Sequence, residues 1–489
     1  MNLATIVDGH PADAVALVSR GKETTYGELR HQAAALRGAL RRLGVGPGDR
    51  VAIACANNAQ FVVAYLGVLG AGAIAVPLNP ASPTAELERE MAAVTASVVI
   101  AGPRAVDAVA AVDRSAVPSL REVVLPDAFD ALLDGEPADV VDRDADDLAV
   151  LIFTAGTGGS PKAAMLSHGN LHANIRQIQA TPERALSADD VSFGVLPMFH
   201  IFGLNVVLGV SLHAGARVIL AERFDPETAL DSIRDHGITV VAGAPPMWAA
   251  WAALPNAPAS AFASVRIAAS GASRLAPETW GTILSRYGLM IAEGYGLTEA
   301  APTVTSSVGS TIVDGSIGRP IPGVQIRLVD ADGEDAFLGD PGEIWVKGPN
   351  VFKGYWEDDA ATAAALTPDG WLRTGDIAVA DHNGNLTIVD RAKDLIIVSG
   401  FNVYPAEVEE ALLEHPGVQA VAVVGVEHPH TGEAVKAYVV SAPGARVDEE
   451  ALTEFCATRL ARYKCPSKIL FVDAIPEGMG GKVLRRELR

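Results

Sequence analysis

Short apolar runs alternate with helical stretches along most of this chain, and that alternation restricts the fold more than any other feature. "RVAIAC", "AIAVPL" and "SVVIAG" follow one another closely, and "VSFGVLP", "ARVILA", "ITVVAGAP" and "VRIAASG" repeat the pattern further on. Strands that alternate with helices predict parallel sheets covered by those helices. Near the N-terminus, Thr25 and Glu28 have the spacing of a capping box. Leu29, Ala33, Leu36, Leu40 and Leu43 then recur at helical spacing, and Gly44 supplies a stop. From Gly315 to Gly354 the texture changes to short strands with glycine and proline turns, which predicts a small β-rich subdomain.

A compact unit begins after Arg391. Pro405 opens a helix with Val408, Ala411 and Leu412 on one face, and Pro416-Gly417 stops it. "VQAVAVVGV" and "AVKAYVV" read as buried strands, followed by a helix from about Asp448 and a strand "KILFV". About a hundred residues of α+β can fold alone, so a boundary is placed near Lys393, dividing 1–392 from 393–489. The expected fold class is α/β: a large N-terminal domain of parallel sheets with a small β-rich subdomain, then a small, mobile α+β C-terminal domain.

Composition narrows the function classes. The 489 residues suit two to four domains, and 49% hydrophobic with 20% charged residues builds ordinary globular cores. A count of 38 basic against 59 acidic residues gives a net charge of −21, which repels nucleic acid and anionic lipid. A polyphosphate ligand would therefore need cations concentrated at one site, with a divalent metal. Cys55, Cys456 and Cys465 have no C-x-x-C spacing and fit reduced thiols of a cytosolic protein. Cys456 shares an apolar stripe with Leu452, Phe455 and Leu460, so it reads as core. No basic region precedes an apolar run at the N-terminus, so no secretory signal is visible. Phe61 to Leu78 is long and apolar, but Gly70, Gly72 and Pro77 interrupt it, and it reads as a buried helix turning into a buried strand. A soluble, cytoplasmic protein without a membrane-spanning segment is expected; a homo-oligomer is compatible with the sequence, which does not fix the oligomeric state.

Chemistry concentrates in a few loops. "TAGTGGSPKAA", Thr154 to Ala164, follows the apolar run "LAVLIF". Glycine lets successive backbone amides point the same way and cradle phosphate, and Lys162 adds a mobile charge. This is no Walker A loop, because Pro161 precedes the lysine and Ala163 follows it. In "EGYGLTEAAP", Tyr295 can stack on a base, Thr298 can bond a phosphoryl oxygen and Glu299 can hold Mg²⁺. "GWLRTGDIA" places Asp376 after a turn, where a carboxylate can accept both ribose hydroxyls. "DRAKDLIIVSGFNVYPAEVEEA" supplies Arg391, and "GMGGKVLRREL" presents Lys482 after two glycines. Each of these is ordinary alone; their joint occurrence and order are not.

That order resembles the adenylate-forming superfamily of acyl-CoA synthetases, non-ribosomal adenylation domains and luciferases. The resemblance covers almost the whole chain through "TAGTGGSPKAA", "LPMFHIFG", "ASGASRLAP", "GYGLTE", "GEIWVKGPNVFKGYW", "GWLRTGD", "DRAKDLIIVSGFNVYPAEVE" and "GKVLRREL". It implies two half-reactions: a carboxylate attacks the α-phosphorus of MgATP to give an acyl-adenylate and pyrophosphate, then the thiol of CoA takes the acyl group after the C-terminal domain turns about a hinge. Carried onto matching positions, Thr154, Gly156, Thr157, Gly159 and Lys162 belong to the triphosphate loop. Gly271 and Ala272 would line the adenine slot with Tyr295. Asp376 and Arg391 would hold the ribose, Thr298 the α-phosphate and Glu299 the magnesium. Lys482 would bridge carboxylate and phosphate oxygens, Lys393 matches the hinge, and Gly400 lies on the loop of the pantetheine channel. His200 matches the gate beside the acyl channel, and Ile201, Phe202, Leu204, Val206, Val207 and Leu208 then offer an apolar wall.

Amino-acid-activating relatives place an aspartate just after the residue matching His200; Ile201 stands there, which argues against an amino acid substrate. A dicarboxylate such as malonate needs a pocket cation, and Gly294 precedes Tyr295 where one would sit, while Arg274 keeps that alternative open. A monocarboxylic, fatty acid and CoA are the expected substrates, with an acyl-AMP ligase, a small-acid ligase and a non-catalytic nucleotide-binding scaffold as alternatives.

The triphosphate loop departs from the family's usual T-S-G-T-T-G-x-P-K-G at Ala155, Gly158 and Ala163. Two hydroxyl donors are missing, each worth about 0.5–1.5 kcal/mol net when made. Restoring both in Ala155→Ser with Gly158→Thr is expected to lower the KM for ATP, and unchanged ATP kinetics would refute the assignment of weaker ATP binding to these positions.

Overall fold

The computed structural model describes residues 1–154, 162–181, 183, 185–391, 394–398, 401–428, 432–445, 447–460, 462–478 and 483–488. The chain divides into two compact units. The first comprises Met1–Ile312, Gly318–Gln325 and Val346–Leu372; the second comprises Val313–Ile317, Ile326–Trp345 and Arg373–Arg489.

The first unit contains two large sheets. A six-stranded sheet runs in the order Glu122–Val124, Val98–Ala101, Arg50–Ala54, Ile74–Pro77, Leu148–Thr154 and Lys162–Ser167. Its pairings are parallel up to Leu148–Thr154, and the last strand returns antiparallel. The long apolar stretch resolves as expected into the helix Ala59–Gly70, buried throughout from Phe61, and the central strand Ile74–Pro77. Among the described residues no helix is long and apolar enough to cross a membrane. Ile74, Val76, Leu87, Met91, Val99 and Leu151 form one core on this sheet, each contributing about 1.5–3 kcal/mol by leaving water.

The nine-stranded sheet runs Arg319–Pro320, Thr303–Ser306, Ala292–Gly296, Ile267–Ser270, Val240–Gly243, Val191–Gly194, Arg217–Leu220, Val15–Ser19 and Lys22–Thr25. Its middle is parallel, as the repeated apolar runs predict, and antiparallel strands close both ends. Trp248, Trp251, Phe262 and Tyr287 pack ring to ring beneath it, Trp251 and Phe262 edge-on at 5.3 Å. The capping box forms as read: Thr25 accepts from the Glu28 backbone, and the Glu28 carboxylate accepts from the Thr25 N–H, opening the helix Tyr26–Arg42.

The β-rich texture read from Gly315 to Gly354 supplies two strands of a four-stranded sheet, Gln325–Val329 and Gly342–Lys347. The other two, Leu372–Ala380 and Leu386–Arg391, lie beyond that stretch. In the second unit a long antiparallel pair, Val418–His428 with Gly432–Ser441, takes Lys468–Phe471 in parallel on one side and continues to Ile396–Val398 and Phe401–Val403. The helices Pro405–Leu413 and Glu449–Ala457 cover it, the second capped by Asp448. Cys456 is buried beside Leu452 and Leu460, and burial pushes its thiol up to about 11, so it is a core thiol as read. Phe455 leaves that stripe: its ring meets His415 edge-on at 4.8 Å and carries the Arg459 guanidinium 3.6 Å above its centroid.

Arg485 is one of the ties on the last described segment, together with Tyr438, whose hydroxyl donates to the Leu488 carbonyl at 2.7 Å. Arg485 Nη2 donates to both oxygens of Glu409 at 2.7 and 2.8 Å, and its Nε donates to the Val423 carbonyl at 3.1 Å. Glu409 in turn accepts from the Val423 N–H at 2.7 Å. Both side chains are largely buried, 17% and 15% exposed, so removing one leaves the other charge without its partner in a poorly solvated place. Arg485→Ala is expected to destabilise the second unit by about 3–5 kcal/mol, while Arg485→Met with Glu409→Leu recovers most of that loss. Thermal unfolding followed by calorimetry checks both.

Candidate active site

Thr154 ends the buried strand Leu148–Thr154, and Lys162 opens its antiparallel partner, the two being opposite one another in register. The phosphate-loop sequence therefore joins two strands of a hairpin. The Thr154 hydroxyl donates to the Lys162 carbonyl at 3.4 Å. Ala155, Gly156, Thr157, Gly158, Gly159 and Ser160 lie outside the described residues, as do Lys393, Gly400 and Lys482.

A second piece of backbone joins the hairpin's outer strand. Trp356 N–H donates to the Ala163 carbonyl at 2.8 Å, Met165 N–H to Gly354 at 2.9 Å, and Lys353 N–H to Met165 at 2.9 Å. Gly354 adopts φ +112° at this junction, and a Cβ there would lie 2.5 Å from a methyl of Thr362, so glycine is required. The pairing sets Tyr355 beside Lys162. The Lys162 ammonium lies 5.2 Å from the centroid of the Tyr355 ring and 3.9 Å from Asp358 Oδ2. The Tyr355 hydroxyl donates to Glu299 Oε1 at 2.6 Å, and burial, reinforced by that carboxylate, pushes the phenol far up, so it stays protonated. The structure thus assembles Lys162 and Glu299 around Tyr355, a residue to which the sequence assigned no role. "GYW" offered an aromatic in a quoted motif, but no spacing could pair it with Glu299.

Glu299 sits in the short 3-10 turn Thr298–Ala300, where Thr298 is buried. Three buried asparagines hold the backbone that follows. Asn350 Nδ2 donates to the Ala300 carbonyl at 2.7 Å, and Asn205 Nδ2 donates to the Ala301 carbonyl at 2.7 Å. Asn174 takes both sides of Thr303, donating to its carbonyl at 2.8 Å and accepting from its N–H at 3.1 Å. Isolated asparagines, two on helical segments and one in a turn, have no periodic signature, so sequence reasoning missed them. As for a metal, no group of three or more His, Cys, Asp or Glu side chains forms a ligand cluster among the described residues. One carboxylate oxygen of Glu299 is engaged by Tyr355, and among the described residues no hydrogen bond is seen to the other. That donor set suits a hard cation that brings most of its oxygen ligands with a triphosphate.

The nucleotide-slot candidates gather at the ends of neighbouring parallel strands. Gly271 follows Ile267–Ser270, and its N–H donates to the Gly243 carbonyl at 3.2 Å. Ala272 takes φ +77°, an uncommon left-handed backbone for alanine. The Glu293 carboxylate accepts from the Leu275 N–H at 3.0 Å and ties this loop to the strand Ala292–Gly296, which carries the largely buried Tyr295. A Cβ on Gly271 would meet the Phe202 ring at 3.0 Å, so that ring lies directly on the glycine. Gly294 has no room for a side chain either: a Cβ there would lie 2.9 Å from the Thr305 carbonyl oxygen. That position therefore supplies no cation, and Arg274 is exposed.

His200 stands just before the π-helical turn Phe202–Gly209. Its Nδ1 accepts from the Phe202 N–H at 3.3 Å, which leaves the proton on Nε2. The ring is exposed, yet the apolar protein around it holds its pKa below the ordinary value. The residues expected to form an apolar wall differ in exposure. Ile201, Leu204, Val207 and Leu208 are buried in the core, and only Phe202 and Val206, one turn apart, keep surface.

In the second unit, Asp376 and Arg391 face each other in register on the antiparallel strands Leu372–Ala380 and Leu386–Arg391. Asp376 is buried, its N–H donates to Thr374 Oγ1 at 3.1 Å, and Gly375 before it takes φ +71°. The Gly375 N–H donates to Glu343 Oε1 at 2.9 Å, and the Thr374 hydroxyl donates to the Ile344 carbonyl at 2.7 Å. The turn that presents Asp376 is thus held from both sides.

Comparison with known proteins identifies the family. Residues 3–356 match the family described as AMP-binding enzyme, and residues 407–482 match the AMP-binding enzyme C-terminal domain. A feruloyl-CoA synthase of an Amycolatopsis species is 40% identical over 478 residues, covering 97% of this chain and 95% of the relative. A long-chain-fatty-acid–CoA ligase of Bacillus subtilis is 36% identical over 513 residues, covering 97% of this chain and 91% of the relative. The crystal structure of ATP-bound MatB from Rhodopseudomonas palustris superposes with a TM-score of 0.93 at 34% identity, covering 100% of this chain and 98% of that one. With both domains of the family matched and relatives aligned along nearly the whole length, the chain belongs to the AMP-binding enzymes, among the acyl-CoA synthetases of the adenylate-forming superfamily.

Proposed function

We propose that the chain activates a monocarboxylic acid as its acyl-adenylate and passes the acyl group to CoA. The observation that carries this reading is the convergence of Lys162 and Glu299 on Tyr355 at the end of the phosphate-loop hairpin. Attack of a carboxylate on phosphorus joins two anions, and a carboxylate needs no general base; it needs alignment and cancellation of charge. Lys162 and the loop amides would hold the triphosphate, and Thr298 the α-phosphate. Glu299 would hold the magnesium, which neutralises phosphate oxygens when bound. Gly271, Ala272 and Tyr295 would take adenine, Asp376 and Arg391 the ribose, and Lys482 the crowded oxygens at the reacting carboxylate, where a compact ammonium is best suited. Lys393 would be the hinge of a mobile C-terminal domain spanning 393–489, and Gly400 would line the pantetheine channel.

The acid side is apolar. Phe202 and Val206 supply a flat surface, Ile201 gives an amine no partner, and Gly294 gives a second carboxylate none. A fatty acid fits, and the relative named for long-chain fatty acids supports it. An aromatic acid is the second reading, favoured by the 40% identity to a protein named for feruloyl transfer to CoA.

Pyrophosphate release measured over a panel of fatty and aromatic acids, with and without CoA, tests the proposal. Turnover of at least one acid with CoA consumption is expected; ATP binding without turnover of any acid would overturn it, and adenylate that accumulates despite CoA would replace it with a ligase that stops at AMP. Lys482→Ala is expected to slow adenylate formation by about 10²–10³ while still forming thioester from a supplied acyl-adenylate. Loss of both half-reactions in folded protein would count against that division of labour.

A further inference from the structure

We propose that Tyr355 is a positioning residue for the metal-bound nucleotide: its hydroxyl fixes the Glu299 carboxylate so that one oxygen is kept for a divalent cation, while its ring holds the Lys162 ammonium, whose ion-pair partner is Asp358 and not that carboxylate. This rests on the reading of Glu299 as the magnesium-bearing side chain. Four contacts determine the tyrosine's place. Its N–H donates to Thr362 Oγ1 at 2.9 Å, its two neighbours Gly354 and Trp356 bond to the hairpin strand, and its ring meets Phe352 edge-on at 5.0 Å. Phe352 is itself bound to the Glu299 turn, its N–H donating to the Glu299 carbonyl at 2.9 Å. These bonds fix the backbone and Phe352 packs the ring, and none of them uses the hydroxyl. What the hydroxyl does is hold Glu299 Oε1 at 2.6 Å, a short bond of the charge-assisted kind.

Two consequences follow from this placement. A glutamate free to rotate loses side-chain freedom each time it takes a cation, whereas one already held does not. A bare lysine near the same carboxylate would neutralise the charge a cation needs. Here the ammonium lies over the aromatic face at 5.2 Å, and its ion-pair partner is Asp358, at 3.9 Å. No ion pair joins it to Glu299 among the described residues. The attraction to the ring is real but modest, and it can be given up when phosphate arrives.

Tyr355→Phe keeps the ring, its packing and its place above Lys162, and removes only the hydroxyl. Equilibrium binding of ATP to the full chain, without any acid, is measured by isothermal titration in magnesium and in EDTA. The variant is expected to bind ATP about tenfold more weakly in magnesium, a difference of 1.4 kcal/mol, and to bind metal-free ATP as the parent does. The magnesium concentration that half-saturates pyrophosphate release is expected to rise by the same factor. Equal affinity of variant and parent in magnesium would overturn the proposal, and so would an equal loss in EDTA, which marks a merely structural tyrosine. Should the parent bind ATP with magnesium yet turn over none of the acids, the reading of the reaction fails, while the two titrations still decide the role of Tyr355.

Discussion

A single backbone pairing brings together Lys162, Tyr355 and Glu299, the residues proposed to meet the triphosphate. The residues around Gly354 lie along the outer strand Lys162–Ser167, and from there Phe352 reaches the Glu299 turn. Three segments far apart in sequence thereby meet at one tyrosine. Closing such long loops costs chain entropy that grows only slowly with length. What the pairing must supply is direction rather than large energy, and main-chain hydrogen bonds at about 2.9 Å supply it. A strand edge is a row of unpaired donors and acceptors; here that row is used to deliver side chains.

The same economy appears behind the Thr298–Ala300 turn. An irregular turn that presents functional side chains cannot satisfy its own amides and carbonyls, and burying them unpaired is costly. Asn174, Asn205 and Asn350 take over that role from neighbouring elements, each fully or almost fully buried. Apolar side chains of similar size would fill the space and leave the carbonyls of Ala300, Ala301 and Thr303 without donors. The asparagines are therefore the condition on which a loop of unusual shape, with Ala301 at φ +64°, sits inside a packed domain.

How much of this was legible follows from the period of each signal. Strands and helices that repeat at two or 3.6 residues were visible: the capped helix Tyr26–Arg42, the parallel runs, and the helix Pro405–Leu413 with Val408, Ala411 and Leu412 inward. The opposition of Asp376 and Arg391 was visible only as two motifs, because register is a property of the strand pair and not of either strand. The hairpin at Lys162 looked like a strand feeding a loop, since one antiparallel edge strand has no distinct composition. Phe455 misled for a related reason: an apolar residue at helical spacing need not be core when a histidine and an arginine can cover its ring. The stretch after His200 is a π-helical turn, and a period of 3.6 does not describe which of its faces point inward.

Charge brings these observations together. A chain with a net charge of −21 repels a triphosphate over most of its surface, so affinity must be local and short-ranged. In the first unit the charge proposed for that task is Lys162, held by the Tyr355 ring and by a carboxylate at 3.9 Å, on the same tyrosine that bonds one oxygen of Glu299. In the second unit, Arg485 is spent on structure, bonded to Glu409 and Val423. It anchors the segment that follows Lys482 in sequence. The division has a physical logic: an arginine whose planar fork is locked to a buried carboxylate makes a good tether and a poor catalyst. A lysine three residues earlier, a compact charge on a long stem, is suited to the opposite task.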